Sequence, residues 1–239
     1  MQDIFRRYEK KYLITRERYA ALSGLLSQHM EADIFGEYLV RNVYFDTDGW
    51  DVVRASIARP LFKEKMRLRS YGEAGLESDV FLELKKKYDG VVYKRRIAVP
   101  AGTLAKRSVR EVLSEDGSQI AREIGFYVES KVVSEKAHIS FKRTALAGVS
   151  DTGLRVTFDE GLRFRLEPLE LSRPETGAAI LPEDILIMEI KTFGGIPVWL
   201  ARALCENGIF PTTFSKYGAC YTEYILKNHG TGGKAYAGA

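Results

Sequence analysis

Cationic side chains occupy every second position in the segment KEKMRLRSY, which runs from Lys63 to Tyr71. These cations are Lys63, Lys65, Arg67 and Arg69. They would share one face of a β-strand, because successive side chains of a strand point to opposite faces, and Met66 and Leu68 would lie on the other face. Four cations without an acid on one face favour an anionic ligand, and the alternative is an ordinary solvated surface.

A predicted hairpin extends this pattern. The segment VFLELKKKY at Val80–Tyr88 alternates in the same way, and the Asp89–Gly90 pair that follows is typical of a two-residue type I′ turn. Such a turn would place Lys85 opposite Lys94, and two facing lysines repel each other unless an anion lies between them. The residues that the hairpin would place on one face are Glu83, Lys85, Lys94 and Arg96.

Charged residues recur on one face of four further predicted strands. The strands are Ile4–Ile14, His138–Leu146, Leu154–Glu160 and Ile185–Thr192. Their polar faces carry Arg7, Glu9, Lys11, Arg143, Arg155, Glu189 and Lys191. Glu189 lies in the very apolar segment ILIMEIKT, where a carboxylate is costly unless it is paired or bound to a cation.

Amphipathic segments between the strands predict helices. Thr15 is expected to be the N-cap of a helix that ends near Met30, and Asp48 is expected to cap a short helix at Gly49–Ile57. A strand is predicted at Tyr38–Asp46 between them. The other predicted helices are Leu104–Leu113, about Ser118–Ile124, Val198–Glu206 and a last one that ends near Lys227.

Many short strands with few helices predict an antiparallel all-β or α+β architecture, because the spacing of βαβ units is missing. In an open sheet the charged faces would meet water, whereas in a closed barrel they would line the interior. The amphipathic helices need an apolar sheet face to cover, which favours the closed barrel. We therefore expect a closed antiparallel β-barrel with flanking helices.

Length and composition limit the classes of protein to consider. The chain has 239 residues, 45% of them hydrophobic, and we expect one domain at 1–228 followed by a disordered tail at 229–239. The net charge of +4 is too mild to indicate a nucleic-acid binder. Cys205 and Cys220 lack metal-ligand spacing, which favours two reduced thiols. Without a signal sequence or a spanning segment, a soluble cytoplasmic protein is expected.

An ordered set of motifs resembles the VTC domain, the polyphosphate polymerase module of the triphosphate tunnel metalloenzyme superfamily. One motif alone would be weak, but the set spans nearly the whole chain in the expected order. The motifs are RYEKKY at Arg7–Tyr12, YFD at Tyr44–Asp46, RLRSY at Arg67–Tyr71, ELK at Glu83–Lys85, FKRTA at Phe141–Ala145, LRVTFDEGL at Leu154–Leu162, MEIK at Met188–Lys191 and FSKY at Phe214–Tyr217.

The resemblance implies an α+β fold in which eight antiparallel β-strands form a tunnel with flanking helices. Basic residues of the tunnel would bind a triphosphate, and its acids would hold Mn²⁺ or Mg²⁺. The catalytic residues that it implies are Lys11, Arg67, Arg69, Lys85 and Glu189. Arg143 and Arg155 are implied as further phosphate ligands, and Ser215 with Lys216 as a closing contact. With the face assignments added, the expected substrate-binding set also includes Arg7, Lys94, Arg96 and Lys191. The expected metal ligands are Glu189, Glu9 and Glu83.

The first strand departs from the pattern of the triphosphatases in this superfamily. Those proteins typically carry an ExExK motif, whereas this chain has Arg7, Glu9 and Lys11. An arginine in place of the first acid removes a metal ligand and adds a phosphate ligand, which favours a polymerase. We expect transfer of the ATP γ-phosphate to polyphosphate. Hydrolysis of tripolyphosphate or a nucleoside triphosphate, and non-catalytic binding of polyphosphate, are the alternatives.

Overall fold

The computed structural model describes residues 8–89 and 91–229. Its strands are β1 Tyr8–Thr15, β2 Met30–Asp46, β3 Phe62–Tyr71, β4 Asp79–Tyr88, β5 Val91–Pro100, β6 Ser134–Gly148, β7 Arg155–Arg165, β8 Ala178–Ala179 and β9 Ile185–Thr192. Its helices are α1 Arg16–His29, α2 Asp51–Ile57, α3 Ala101–Leu104, α4 Val109–Asp116, α5 Gln119–Lys131, α6 Val198–Glu206, α7 Lys216–Cys220, a π-helical turn Tyr221–Ile225 and α8 Leu226–His229. Arg7, the start of the first predicted strand, Gly90 and most of the predicted tail lie outside the described residues.

The predicted α+β class with a large antiparallel sheet is confirmed. The strands follow the order β1-β9-β7-β6-β2-β3-β4-β5, and the two-residue β8 pairs with β7. This order begins at β1 and ends at β5, and the described residues contain no ladder between these two strands. Closure of these strands into a barrel stays a prediction.

The chain divides into two compact units, and each unit is built from several chain segments. Of the described residues, unit 1 comprises 8–39, 141–162 and 181–214, and unit 2 comprises 40–89, 91–140, 163–180 and 215–229. A single domain at 1–228 stays a prediction. Within the described residues, no helix is long and apolar enough to cross a membrane.

In unit 1, β9 pairs with β1 on one side and β7 on the other. Thr15 caps α1 as predicted, because its hydroxyl accepts a hydrogen bond from the Arg18 amide at 3.2 Å. One face of the three strands packs against α1 and α6 in an apolar core that includes Tyr12, Leu22, Leu26, Val156, Phe158, Met188, Ile190, Leu200 and Leu204. The opposite face carries polar side chains.

In unit 2, β3 pairs with β2 and β4, and β4 pairs with β5. The register of the β4–β5 hairpin confirms the prediction, since Lys85 lies opposite Lys94 and Glu83 lies opposite Arg96. One face packs against α4 and α5 in a core that includes Val43, Phe45, Met66, Leu68, Leu82, Leu84, Ile97, Val99, Val112, Leu113, Ile124 and Val128. Most cations of β3 to β5 lie on the other face, because side chains alternate along each strand. Lys86 and Arg95 are exceptions and lie on the same side as Leu84.

The N-terminus of α2 differs from the prediction. Asp48 does not cap it, and its carboxylate instead pairs with Lys136 at 2.5 Å. Asp46 accepts hydrogen bonds from the backbone amides of Val52 at 2.8 Å and Val53 at 3.0 Å. The buried carboxylate at the end of β2 thus satisfies amides of the first helical turn that the exposed Asp48 was expected to satisfy.

Candidate functional site

Unit 2 concentrates positive charge on the polar face of β3, β4 and β5. Between the cross-strand pairs of Lys63 and of Arg69, the described residues of these three strands place eight cations and one carboxylate on this face. We call this group the cationic face, and its charged members are Lys63, Lys65, Arg67, Arg69, Glu83, Lys85, Lys87, Lys94 and Arg96. The structure therefore brings together the strand cations of unit 2 that the sequence predicted.

Glu83 lies at the centre of the cationic face, with 2% of its surface exposed. Its Oε2 accepts a hydrogen bond from Arg67 Nε at 2.8 Å and lies 2.7 Å from Arg67 Nη2. Its Oε1 lies 2.6 Å from Lys94 Nζ. Arg69 Nε and Arg96 Nε lie 3.9 Å and 3.8 Å from the carboxylate. One buried acid thus holds four cations in place.

The surroundings of Glu83 control its ionisation. Burial alone would raise the pKa of this carboxyl group, but the charges of Arg67 and Arg69, together with the hydrogen bond from Lys94, lower the pKa to about 2. Glu83 is therefore ionised at neutral pH. Its role as a metal ligand stays a prediction, and the four surrounding cations favour an anion over a metal ion at this position.

Tyr44 lies opposite Arg67 in the β2–β3 ladder, and the pKa of its phenol reflects the same positive potential. Its hydroxyl lies 3.5 Å from Arg67 Nη1, and its ring stacks on Tyr217 at a centroid distance of 4.5 Å. Burial would raise the pKa of the Tyr44 phenol, but the charges of Arg67, Lys65 and Arg69 outweigh it and lower the pKa to about 8. A buried phenol with a lowered pKa indicates strong local stabilisation of negative charge.

The start of α7 is anchored to the end of β2 within unit 2. The Tyr217 hydroxyl donates a hydrogen bond of 2.9 Å to Asp46 Oδ2. Ser215 is the N-cap of α7, and its hydroxyl accepts a hydrogen bond from the Gly218 amide at 3.2 Å. Lys216 is the first residue of α7. The closing contact of Ser215 and Lys216 with a ligand stays a prediction.

Unit 1 carries the second group of predicted residues, on the polar face of β1, β7 and β9. Glu189 Oε1 lies 2.7 Å from Lys191 Nζ, and Glu189 Oε2 lies 3.8 Å from Lys11 Nζ. Glu9 lies 3.4 Å from the same Lys11 amine. The carboxylate that was costly in an apolar strand is thus paired with cations. We call Glu9, Lys11, Thr157, Glu189 and Lys191 the Glu189 site.

The oxygens of the Glu189 site suit a hard divalent cation. Thr157 lies opposite Glu189 in the β7–β9 ladder, and its buried hydroxyl has no hydrogen-bond partner within the described part of the chain. The Thr157 hydroxyl and the Glu189 carboxylate together offer oxygen ligands from two side chains. The described residues contain no cluster of three His, Cys, Asp or Glu side chains that could hold a metal. A cation at Glu189 would therefore complete its coordination with phosphate oxygens and water, as Mg²⁺ commonly does.

Two predicted phosphate ligands of unit 1 are ion-paired. Arg143 makes a bidentate pair with the buried Asp159, with Nε–Oδ1 and Nη2–Oδ2 distances of 2.6 and 2.8 Å. Burial would lower the pKa of Arg143, but the hydrogen bond and charge of Asp159 raise it. Arg155 pairs with Asp33. Either arginine would have to exchange or share its carboxylate to bind a phosphate, so its assignment stays a prediction.

Lys11 also contacts the segment before α7. Its backbone carbonyl accepts a hydrogen bond from the Thr212 amide at 2.7 Å, and its amine lies 3.4 Å from the Phe214 carbonyl oxygen. These contacts lie within unit 1 and fix the direction of the Lys11 side chain.

Sequence reasoning missed several partners of the predicted residues. Asp159 lies on the predicted polar face of β7, so strand alternation identifies it as a candidate partner but not as the partner of Arg143. Tyr44 and Asp46 belong to the YFD motif, but their contacts with Arg67 and Tyr217 follow only from the folded structure. The missed partners are Asp33, Tyr44, Asp46, Thr157, Asp159 and Tyr217.

Three of the solved structures that match this chain cover nearly its whole length. A protein from Hippeastrum, whose description names a dominant triphosphatase activity, has 16% identity over 94% of this chain and 96% of its own, with a TM-score of 0.49. A Vibrio parahaemolyticus protein named as an adenylate cyclase candidate has 12% identity over 90% and 98%, with a TM-score of 0.49. A protein from Pyrococcus horikoshii has 13% identity over 93% and 99%, with a TM-score of 0.48.

A comparison with curated proteins finds no match. The family comparison is decisive, because the VTC domain model matches residues 6–224. This range includes the cationic face and the Glu189 site. The chain belongs to the VTC domain family.

Proposed function

We propose that this protein is a metal-dependent polyphosphate polymerase. In the proposed reaction, a terminal oxygen of the acceptor polyphosphate attacks the γ-phosphorus of ATP. The bond between the γ-phosphorus and the β,γ-bridging oxygen breaks, ADP leaves, and the chain gains one phosphate. Membership of the VTC domain family supports chemistry on triphosphate or polyphosphate, and transfer to a growing chain is the specific proposal.

The charge balance of the cationic face carries this proposal. Among the described residues, this face carries eight cations and one carboxylate, and four of the cations lie within 4 Å of that carboxylate. The pKa of Glu83, lowered to about 2, supports a local potential that remains strongly positive. Such an excess suits a chain of phosphates better than a single phosphate group, because each added phosphate carries further negative charge.

The two cation types of this face suit different parts of the task. Arg67 and Arg69 can each present two parallel N–H donors to phosphate oxygens, which fixes the orientation of the bound group. Lys65 and Lys85 are point charges that allow a flexible chain to slide. Phosphoryl transfer depends mainly on alignment and charge neutralisation, so fixed arginines beside adaptable lysines suit it.

Glu189, with the Thr157 hydroxyl, is the proposed metal-binding position in unit 1. A bound Mg²⁺ or Mn²⁺ would neutralise charge on phosphate oxygens. The protein's own contribution is to hold the Glu189 carboxylate between Lys11 and Lys191, where it offers an oxygen ligand. Exchange of the Lys191 contact for a metal ion is the rearrangement that the proposal requires.

Parallel measurement of ADP and orthophosphate tests the proposal. With ATP and Mn²⁺ or Mg²⁺, a polymerase forms ADP without an equal amount of orthophosphate, and short polyphosphate shortens any lag because it supplies acceptor. Arg67→Ala with Arg69→Ala should weaken tripolyphosphate binding by at least tenfold, since a charged hydrogen bond contributes about 1.5–3 kcal/mol. Arg95→Ala is the matched control, because Arg95 lies on the opposite face and pairs with Glu123.

Hydrolysis is the second candidate, and Glu9 is the observation that favours it. Glu9 shares the polar face of β1 with Lys11 and lies opposite Lys191 of β9, so a second acid is present in the Glu189 site. An additional acid can orient an attacking water. Equal amounts of ADP and orthophosphate would identify the hydrolase, and binding without ADP formation would identify a polyphosphate-binding module.

A further inference from the structure

Aromatic side chains lie at one end of the cationic face. Tyr71 follows Arg69 by two positions on the same face of β3, and Phe81 lies opposite Arg69 in the β3–β4 ladder. The Tyr71 and Phe81 rings meet edge to face at a centroid distance of 5.7 Å. The Arg96 guanidinium carbon lies 3.4 Å from the Phe81 centroid and 5.6 Å from the Tyr71 centroid. This end thus combines two rings with guanidinium groups.

The opposite end of the cationic face has a different composition. At this end Lys63 lies opposite Lys87, and Lys65 lies opposite Lys85. Lys85 in turn lies opposite Lys94. Along the strands the face changes from lysines, through arginines around Glu83, to rings beside arginines. The face therefore has a chemical direction, with strongly hydrated cations at one end and π-surfaces at the other.

We propose that Tyr71, Phe81 and Arg96 form a stacking site for the base of a nucleoside triphosphate. The phosphates of the bound nucleotide then extend toward the lysine end of the face. This inference rests on the proposed function and deepens it, because it makes a nucleotide, rather than inorganic tripolyphosphate, the preferred phosphoryl donor. It also assigns the lysine end to polyphosphate.

The spacing of the residues suits a nucleotide. Two residues along a strand span roughly 7 Å, so Tyr71 lies one step beyond the phosphate-binding Arg69. A ribose separates the base from the α-phosphate in the same order. Stacking on aromatic rings and on guanidinium planes is the usual way in which proteins bind a base without reading its hydrogen-bonding edge.

The exposure of the Tyr71 ring separates a ligand site from ordinary packing. Tyr71 is 40% exposed, although it belongs to a strand whose opposite face is in the core. Its charged neighbours include the Arg69 guanidinium, 5.7 Å from the ring centroid. An exposed ring beside guanidinium groups offers a surface on which a base can stack.

Comparison of ATP with tripolyphosphate tests the inference. Calorimetry without metal should show that Tyr71→Ala weakens ATP binding about tenfold or more, consistent with the loss of one stacking contact. Tripolyphosphate affinity should change less than twofold, and Tyr71→Phe should bind ATP like the unmodified protein. Tyr71→Leu keeps bulk without an aromatic ring and should behave like Tyr71→Ala, which provides a second variant if the alanine protein unfolds.

Tyr93→Ala is the matched control, because Tyr93 is 52% exposed and pairs with Lys86 on the other face of the sheet. It should leave both affinities unchanged. If Tyr71→Ala and Tyr71→Leu weaken ATP and tripolyphosphate equally, or neither ligand, the stacking site is refuted while the proposed function stands. If Arg67→Ala with Arg69→Ala leaves tripolyphosphate affinity unchanged, the proposed function itself fails.

Discussion

Arg67 and Glu83 face each other across the β3–β4 ladder, with Arg67 Nη2 2.7 Å from Glu83 Oε2. The acid is buried and the arginine belongs to a face that is otherwise cationic. This pair explains how like charges are assembled in a folded protein before any anion is bound. The carboxylate offsets part of the repulsion and fixes the direction of the guanidinium group.

Glu83→Gln should destabilise the protein by about 3 kcal/mol, because it removes the negative charge that faces the buried Arg69 and the partly buried Arg67. Tripolyphosphate should stabilise this variant more than the unmodified protein, since the anion replaces the lost negative charge. Urea unfolding with and without tripolyphosphate measures both effects. Glu64→Gln is the control, since Glu64 pairs with Lys86 on the other face at 3.5 Å. Equal stabilities of the two variants would contradict the organising role of Glu83.

The pH dependence of stability should carry the signature of Glu83. Its pKa falls from 4.5 to about 2 on folding, so its contribution is fully present above pH 4.5 and is lost as the pH falls through 2. The difference in unfolding free energy between the unmodified protein and Glu83→Gln should therefore be constant from pH 7 to 5 and shrink below pH 4.5. A difference that stays constant down to pH 2 would refute the lowered pKa.

Tyr44→Phe should remove a pH dependence of anion binding. The pKa of Tyr44 is about 8, so a phenolate forms beside Arg67 as the pH rises from 7 to 9 and repels a bound anion. Tripolyphosphate affinity should fall more steeply over this range in the unmodified protein than in Tyr44→Phe. Lysines remain mostly protonated there. Identical pH profiles for the two proteins would show that Tyr44 stays neutral.

Glu189→Gln should abolish metal-dependent turnover of ATP and retain most of the tripolyphosphate affinity. The variant removes the carboxylate of the Glu189 site and leaves the cationic face of unit 2 intact. Calorimetry with tripolyphosphate and a turnover assay with Mn²⁺ separate the two effects. Normal turnover by a folded variant would exclude Glu189 as the essential metal ligand.

The β4–β5 register was predictable because the loop length and the Asp89–Gly90 pair restrict the turn to few geometries. The polar face of β3 was predictable for a similar reason, since strand alternation acts between neighbouring residues. The residue that caps α2 was not predictable, because Asp46 and Asp48 are both suitable residue types. Burial at the end of β2, which is a tertiary effect, determines which one caps the helix.

Ion pairs between distant segments were also beyond sequence reasoning. Arg155 and Asp33 are separated by 122 residues, and Arg143 and Asp159 lie on different strands. Alternation assigned the faces of Arg143, Arg155 and Asp159 correctly but could not pair them, because pairing depends on strand order and register. Thr157 gave no signal as a residue type, and it became a candidate ligand only through its position opposite Glu189.

The fate of the γ-phosphate of ATP distinguishes transfer to polyphosphate from hydrolysis. Purified protein is incubated with γ-labelled ATP and Mn²⁺, and the products are separated on a polyacrylamide gel beside an orthophosphate standard. We expect a ladder of labelled polyphosphate chains that lengthen with time. This ladder should be absent when Arg67→Ala and Arg69→Ala are combined. Label found only in orthophosphate, across a range of ATP and metal concentrations, would contradict the polymerase and establish a hydrolase.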